Sequence, residues 1–332
     1  MSRFASTTVR AWLVRSGSDP LAELRPGTRV GAADIAVAKA TVGSFAALDN
    51  RYGGGQARKA LIQYLDSHMA ALLRGSYSEQ NGRQLYAAAS EATLLAAWMS
   101  YDTGAHGLAQ RYFIQALRLA QAADDVLLAG SILDAMSHQA TFLGRSREAA
   151  NLARAARTGT QGKATATLTA HFHAMEARAL ACGGDCTGSQ KALGEAVRVF
   201  ERRHPGDDPE WISYFDDAEL SAEFSHCFRD IGRPADAVTY AQRSLANAGA
   251  SARSDFFVTM VLAAGHLGQG NIEEACSTAQ MALEIGDQVK SARCITYLRQ
   301  FRRNLQPFVE SAAARALADS ATDHALWIGS AP

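Results

Sequence analysis

Small and apolar residues recur along this chain at helical offsets behind a glycine. Five residues after the glycine stands an alanine, nine after it a packing residue, and twelve after it a small residue that an apolar one often follows. Gly104 leads to Ala109, Phe113, Ala116 and Leu117, and Gly144 to Ala149, Ala153 and Ala156. Gly184 leads to Ser189, Leu193, Ala196 and Val197, Gly232 to Ala237, Ala241, Ser244 and Leu245, and Gly270 to Ala275, Ala279, Ala282 and Leu283. Such offsets place the small residues on one face of a helix. No segment alternates apolar and polar residues around a two-residue hairpin turn, so the expected fold class is all-α.

A glycine between two helices, with small residues where they meet, is the pattern of the tetratricopeptide repeat, a helical hairpin of about 34 residues. The five anchors lie 40, 40, 48 and 38 residues apart, so the helices or the connections must be longer than standard. The longest interval holds His204-Pro205-Gly206-Asp207-Asp208-Pro209, read as a loop with Asp208 as N-cap and Pro209 at the first helical position. Upstream, Gly55, Ala60 and Tyr64 suggest a degraded hairpin over 35–74. Downstream, Lys290 to Phe308 reads as a capping helix with Ile295, Leu298, Leu305 and Phe308 on one stripe. The expectation is a right-handed helical-hairpin solenoid of tetratricopeptide type over 35–308. It has about five repeats, a degenerate N-terminal hairpin and a C-terminal capping helix. Residues 1–34 and 309–332 are read as tails.

Composition narrows the function. Apolar residues make up 48% of the 332 positions, and only 7 are proline, which suits a folded helical chain. Lys plus Arg and Asp plus Glu number 33 each; this neutrality argues against a dedicated nucleic-acid binder, which needs basic surplus for phosphate contacts. No run approaches the ~18 apolar residues of a membrane span. Met1–Val14 lacks the apolar core of a signal peptide, and five cysteines without framework spacing fit a reducing cytoplasm.

In such a stack the first helix of each hairpin lines the concave groove. Counting back from each turn glycine places Glu91, Trp98, Tyr101 and Asp102 there from the first repeat, and Asp134 and His138 from the second. The third contributes His171 and Arg178, and the fourth Glu219, His226 and Arg229. Aromatic residues with Arg, His and carboxylates suit a peptide, a protein segment or a small effector. A one-residue error in an anchor would turn that assignment by about 100°.

The motifs of catalysis are missing. Gly53-Gly54-Gly55 follows no strand and precedes no Gly-Lys-Ser/Thr, so it reads as a turn and not a phosphate loop. There is no GxSxG elbow and no HExxH. Cys182 and Cys186 lack the second ligand pair of a zinc site, and His171 and His173, two apart, face opposite ways on a helix. Neither an enzyme, a metal nor a cofactor is expected. The basic residues Lys290, Arg293, Arg299, Arg302 and Arg303 read as a solvated helix face.

Three segments carry a family likeness: 48–55 (LDNRYGGG), 101–117 (YDTGAHGLAQRYFIQAL) and 207–220 (DDPEWISYFDDAEL), the last with the most specific run, Trp211 to Asp216. Over roughly 10–308 the chain resembles the tetratricopeptide-like C-terminal region of actinobacterial helix-turn-helix transcriptional regulators. That resemblance implies a regulatory sensing or dimerising module. Only about thirty residues precede the first hairpin, fewer than a helix-turn-helix domain of several helices needs. Either the start is truncated or this is a member without its own reader, acting through other proteins; direct DNA binding is therefore doubtful, and a helix-turn-helix regulator becomes a candidate partner. The leading expectation is a cytoplasmic, non-catalytic regulatory scaffold. A DNA-binding regulator acting as a dimer is the alternative, with an enzyme using groove His and carboxylates below it. The convex faces of such stacks often pair, which leaves a homodimer open.

Overall fold

The computed structural model describes residues 29–246, 251–287 and 289–331. These are helical almost throughout; among them no strand forms, apart from an isolated bridge between Arg29 and Ser76. The expected all-α class holds, and the helices pack in adjacent pairs. The chain divides into two compact units.

The first unit takes in the described residues up to Asp49 and Gly54–Ala164. It holds α1 (Ala32–Tyr52) through Asp49, then α2 (Gly54–Tyr64), which runs through a π turn (Leu65–Met69) into α3 (Ala70–Leu73). Two hairpins follow: α4 (Glu79–Asp102) with α5 (His106–Ala122), and α6 (Val126–Phe142) with α7 (Ser146–Gly159). The second unit comprises 50–53 and the chain from Thr165. Its hairpins are α8 (Ala166–Cys182) with α9 (Cys186–Phe200), α10 (Asp217–Asp230) with α11 (Pro234–Leu245), and α12 (Ala252–Gly268) with α13 (Ile272–Gly286). Then come α14 (Ala292–Leu305), α15 (Ala312–Ser320) and α16 (Ala325–Gly329).

The hairpins share one turn. Gly104, Gly144, Gly184, Gly232 and Gly270 have φ of 78°, 70°, 79°, 72° and 82°, the left-handed region that ends a helix without penalty only for glycine. The next residue's N–H reaches back five positions to close the turn. Ala105 donates to Ser100 O at 2.8 Å, Arg145 to Ala140 O at 2.8 Å and Asp185 to Leu180 O at 2.9 Å. Arg233 donates to Phe228 O at 2.8 Å and Asn271 to His266 O at 3.0 Å. That same residue's carbonyl then accepts the first N–H of the return helix, from Ala109, Ala149, Ser189, Ala237 and Ala275 in turn. Side-chain caps start other helices: Asp125 Oδ1 accepts from Leu128 N at 2.9 Å, and Thr165 Oγ1 from Leu168 N at 3.2 Å.

The small residues sit where the helices meet. Ala109, Ala116, Ala149, Ala153, Ala156, Ala237, Ala241, Ala275, Ala279 and Ala282 are all fully buried. Two buried hydroxyls tie helices across a hairpin, Ser90 Oγ to Ala116 O and Ser137 Oγ to Ala149 O, each at 2.8 Å. The closest approach of a glycine to another helix's backbone is at Gly54, where a Cβ would lie 2.7 Å from Met99 O.

Several expectations shift. Two helices occupy the expected N-terminal segment, but the left-handed glycine between them is Gly53 (φ 79°), not Gly55. The buried residues are accordingly Ala57 and Leu61, while Ala60 is exposed and Tyr64 half-buried. Asp208 does not cap a helix: it accepts Thr167 Oγ1 at 2.6 Å, and Asp216 caps α10 through Ala218 N and Glu219 N. Tight 3-10 turns at Pro205–Asp207 and Glu210–Ile212 fill the interval. Of the expected tails, 1–28 lie outside the described residues and Val30 is buried. Residues 309–332 hold α15 and α16, whose Ala314, Leu317 and Leu326 join the core beside α13 and α14. On α14 the buried stripe is Cys294, Leu298, Phe301 and Leu305, with Phe308 exposed. The basic residues there are only partly a solvated face: Lys290 and Arg303 are exposed, but Arg293 is buried, and Arg302 donates to Trp327 O at 2.7 Å and Arg299 to Gly329 O at 2.9 Å, fastening the end of α16.

A Cβ at Gly144 would meet nothing within 4 Å, so substitution there isolates the backbone cost. Gly144→Ala is expected to lower unfolding stability by about 1–2 kcal/mol and Gly144→Asn by less, measured as urea midpoints.

Candidate functional site

The expected groove residues separate into two groups, one in each unit. In the first unit, Tyr101 is fully buried and its hydroxyl lies 3.2 Å from His138 Nδ1. Trp98 meets His138 edge-on with centroids 5.3 Å apart, and Phe142 stands 5.4 Å from Tyr101. His106 closes this aromatic cluster 5.8 Å from Phe142. Asp102 accepts the Gly54 N–H at 3.1 Å, and Asp134 is buried. These side chains pack on one another and join the hairpins; Glu91, Trp98, His106, His138 and Phe142 keep partial exposure, while Tyr101, Asp102 and Asp134 are buried.

In the second unit the first helices bring together a polar face. Arg178 on α8 donates to Glu223 on α10 at 2.6 Å, with side-chain exposures of 9% and 6%. Burial opposes the arginine's charge, but Glu223, Tyr297 and Cys227 together override it and hold Arg178 well above its ordinary pKa. A buried pair of this kind is stable only while both partners are present.

Two helical turns towards the start of α8 lies His171. Its ring meets Phe215 edge-on at 4.4 Å, and Nε2 lies 3.4 Å from the hydroxyl of exposed Tyr214. Glu219 stands near it on α10. This carboxyl keeps partial solvent access, yet burial, reinforced by Glu223 and Asp216, pushes its pKa up to about 7 against the pull of His171 and Arg178.

At the other end of α10, Arg229 pairs with Asp230 at 2.6 Å and stacks 5.5 Å from the Tyr297 ring. His226 meets Tyr297 edge-on at 5.8 Å, Phe257 of α12 lies 4.9 Å from it, and Arg293 covers Phe257 at 4.3 Å. Burial raises the Cys227 thiol pKa, leaving it a neutral packing group.

His171, Arg178, Glu219, His226 and Arg229 thus share one neighbourhood. Three contributors escape the count back from the turns: Glu223, Tyr297 and Arg293. Glu223 was within reach, because it stands four residues after Glu219 and so on the same helical face. Tyr297 and Arg293 belong to α14, which carries no turn glycine of the repeat type. No protein-family model matches the chain, nor does any curated protein sequence.

Arg178→Ala is expected to cost about 3–5 kcal/mol by stranding Glu223, whereas Arg178→Met with Glu223→Leu should cost far less; chemical denaturation of the three proteins reads the difference. For Glu219, the folded pKa lies above the unfolded one, so the folded state binds the proton more tightly. Its contribution is therefore full below about pH 4.5 and is lost as pH rises through about 7. Relative to Glu219→Gln, the wild type should lose stability across that window by at most about 1.4 kcal/mol per pH unit, read from urea midpoints along a pH series.

Proposed function

We propose that this chain is a non-catalytic regulatory scaffold of tetratricopeptide type, binding a peptide, a protein segment or a small effector on the face its first helices present. The observation that carries the reading is the gathering of Arg178, Glu219, Glu223, His226 and Arg229 with the rings of Tyr297 and Phe257 in the second unit. Arg and aromatic side chains concentrate binding energy, and carboxylates beside them fix orientation. The five glycine turns with identical closing bonds support the tetratricopeptide reading. The likeness of 48–55, 101–117 and 207–220 to actinobacterial helix-turn-helix regulators supports a role in transcription control, exercised through a partner that reads DNA. No described helix is long and apolar enough to cross a membrane; the cytoplasmic location in this proposal rests on five cysteines without framework spacing.

Affinity capture from source-organism cells, with proteins, peptides and metabolites identified by mass spectrometry, tests this. A partner retained by wild type should be released at least about tenfold more readily by Arg229→Ala and by Tyr297→Ala. Equal retention by both variants would refute the proposed face.

A further inference from the structure

Each return helix turns one side to solvent. At about 100° per residue, the positions three, seven, ten and fourteen after a turn glycine fall within an arc of about 60°, opposite the buried positions five, nine and twelve. In all five hairpins the residues on that outward stripe are exposed, except half-exposed Ile114 and Gln280. In the first unit the stripe is basic: α5 places Arg111 and Arg118 on it, and α7 places Arg147 and Arg154. No carboxylate shares it; Glu148 and Arg157, both half-exposed, flank it. In the second unit α13 reverses the sign. Its stripe carries Glu273 and Glu284, exposed Glu274 stands beside them, and the helix holds no lysine or arginine. Met281, 56% exposed, lies among these carboxylates.

Elsewhere the return helices treat surface charge differently. On α9 Arg198 pairs with Glu195 at 2.5 Å, and α11 puts Ala235, Thr239, Gln242 and Ala246 at the four outward positions. Opposite charges three or four residues apart stabilise a helix, and a row of one sign forgoes that gain. Among the described residues, none of Arg111, Arg118, Arg147, Glu273, Glu274 and Glu284 forms an ion pair.

We propose that the basic stripe of α5 and α7 docks the acidic stripe of α13 from a second copy of this chain. The surface lies on the return helices and does not rest on the reading of the first-helix face. A second copy is the occupant for three reasons. Both signs stand at equivalent positions of one chain, so two copies bring complementary surfaces to each other. The chain is neutral, 33 basic against 33 acidic residues, and copies meet without the net repulsion that keeps charged proteins apart. Met281 adds an apolar contact that a phosphate backbone would not use, and it can pack on Ile114 and on the arginine stems.

Arginine suits the receiving side, because a guanidinium takes a carboxylate through two parallel N–H···O bonds. These pairs form in water, so each contributes little alone and salt screens them strongly. The contact joins two different faces and is heterologous.

Sedimentation velocity of the full chain tests this, at about 20 and about 200 μM protein in about 20 mM and about 500 mM NaCl. The weight-average mass should rise with concentration at low salt and return to the monomer value at high salt. Two variants each lose one face, Arg118→Glu with Arg147→Glu and Glu273→Lys with Glu284→Lys; circular dichroism verifies that both are folded. Each alone should self-associate at least about tenfold more weakly than wild type at low salt. Their equimolar mixture should associate again, because each variant supplies the face the other lacks.

A monomer at every concentration in low salt would overturn the proposal, as would association that neither salt nor these substitutions alter. A monomer that instead binds a fluorescent duplex of about 20 base pairs, more weakly after Arg118→Glu with Arg147→Glu, would overturn it in favour of nucleic acid. If Arg229→Ala or Tyr297→Ala abolished self-association, the contact would lie on the first-helix face and this proposal would fall. Complementing self-association without any captured partner would uphold it and remove the binding-face reading.

Discussion

The structure depends on a helix that stops within one residue. A left-handed glycine reverses the chain, the next N–H closes the turn on a carbonyl five positions back, and the following helix begins at once. Three residues of connection leave no slack, so the two helices must lie side by side. Side chains at their contact must then be small, and the alanine five residues after each glycine is where the constraint bites first. Ser189 obeys the same rule in the third hairpin, fully buried in the place of the alanine.

This arrangement also decides where polar chemistry can go. The return helices carry narrow, well-separated apolar faces, with alanine and leucine inward and Arg, Gln and Glu outward. The first helices are enclosed on more sides, and their polar residues need internal partners. Some partners are backbone carbonyls, as for Ser90 and Ser137. Others are rings, as in the cluster of Trp98, Tyr101, His138 and Phe142. In the second unit they are charges, Arg178 with Glu223 above all. A buried ion pair adds little net stability compared with apolar residues of similar volume.

The glycine turns and the inward small residues were legible because backbone geometry restricts them to very few residue types. The N-terminal hairpin was misread by two residues, since Gly53, Gly54 and Gly55 all qualify by composition. Only tertiary contact separates them: Gly53 packs against the Lys290 backbone and Gly54 against Met99. The α10 cap was misplaced for a similar reason. Asp208-Pro209 is a good local start signal, and Asp216 with Asp217 is another; the Thr167 hydroxyl recruits Asp208 elsewhere. Residues 312–329 looked patternless because α15 and α16 are short, and their burial depends on partners distant in sequence, Leu326 beside Gly286 for one.

The candidate face was legible in its positions and illegible in its energetics. Counting from the turns finds His171, Arg178, Glu219, His226 and Arg229, because the helical period carries them to one side. It cannot tell which of two carboxylates four residues apart takes the arginine. In the structure Arg178 goes to Glu223, and the consequence falls on Glu219. Its carboxyl stands beside a second carboxylate, and the pull of His171 and Arg178 does not offset its burial. One side-chain choice between neighbouring helices thus gives two glutamates of the same helical face different states, Glu223 in a buried ion pair and Glu219 with its pKa pushed up to about 7.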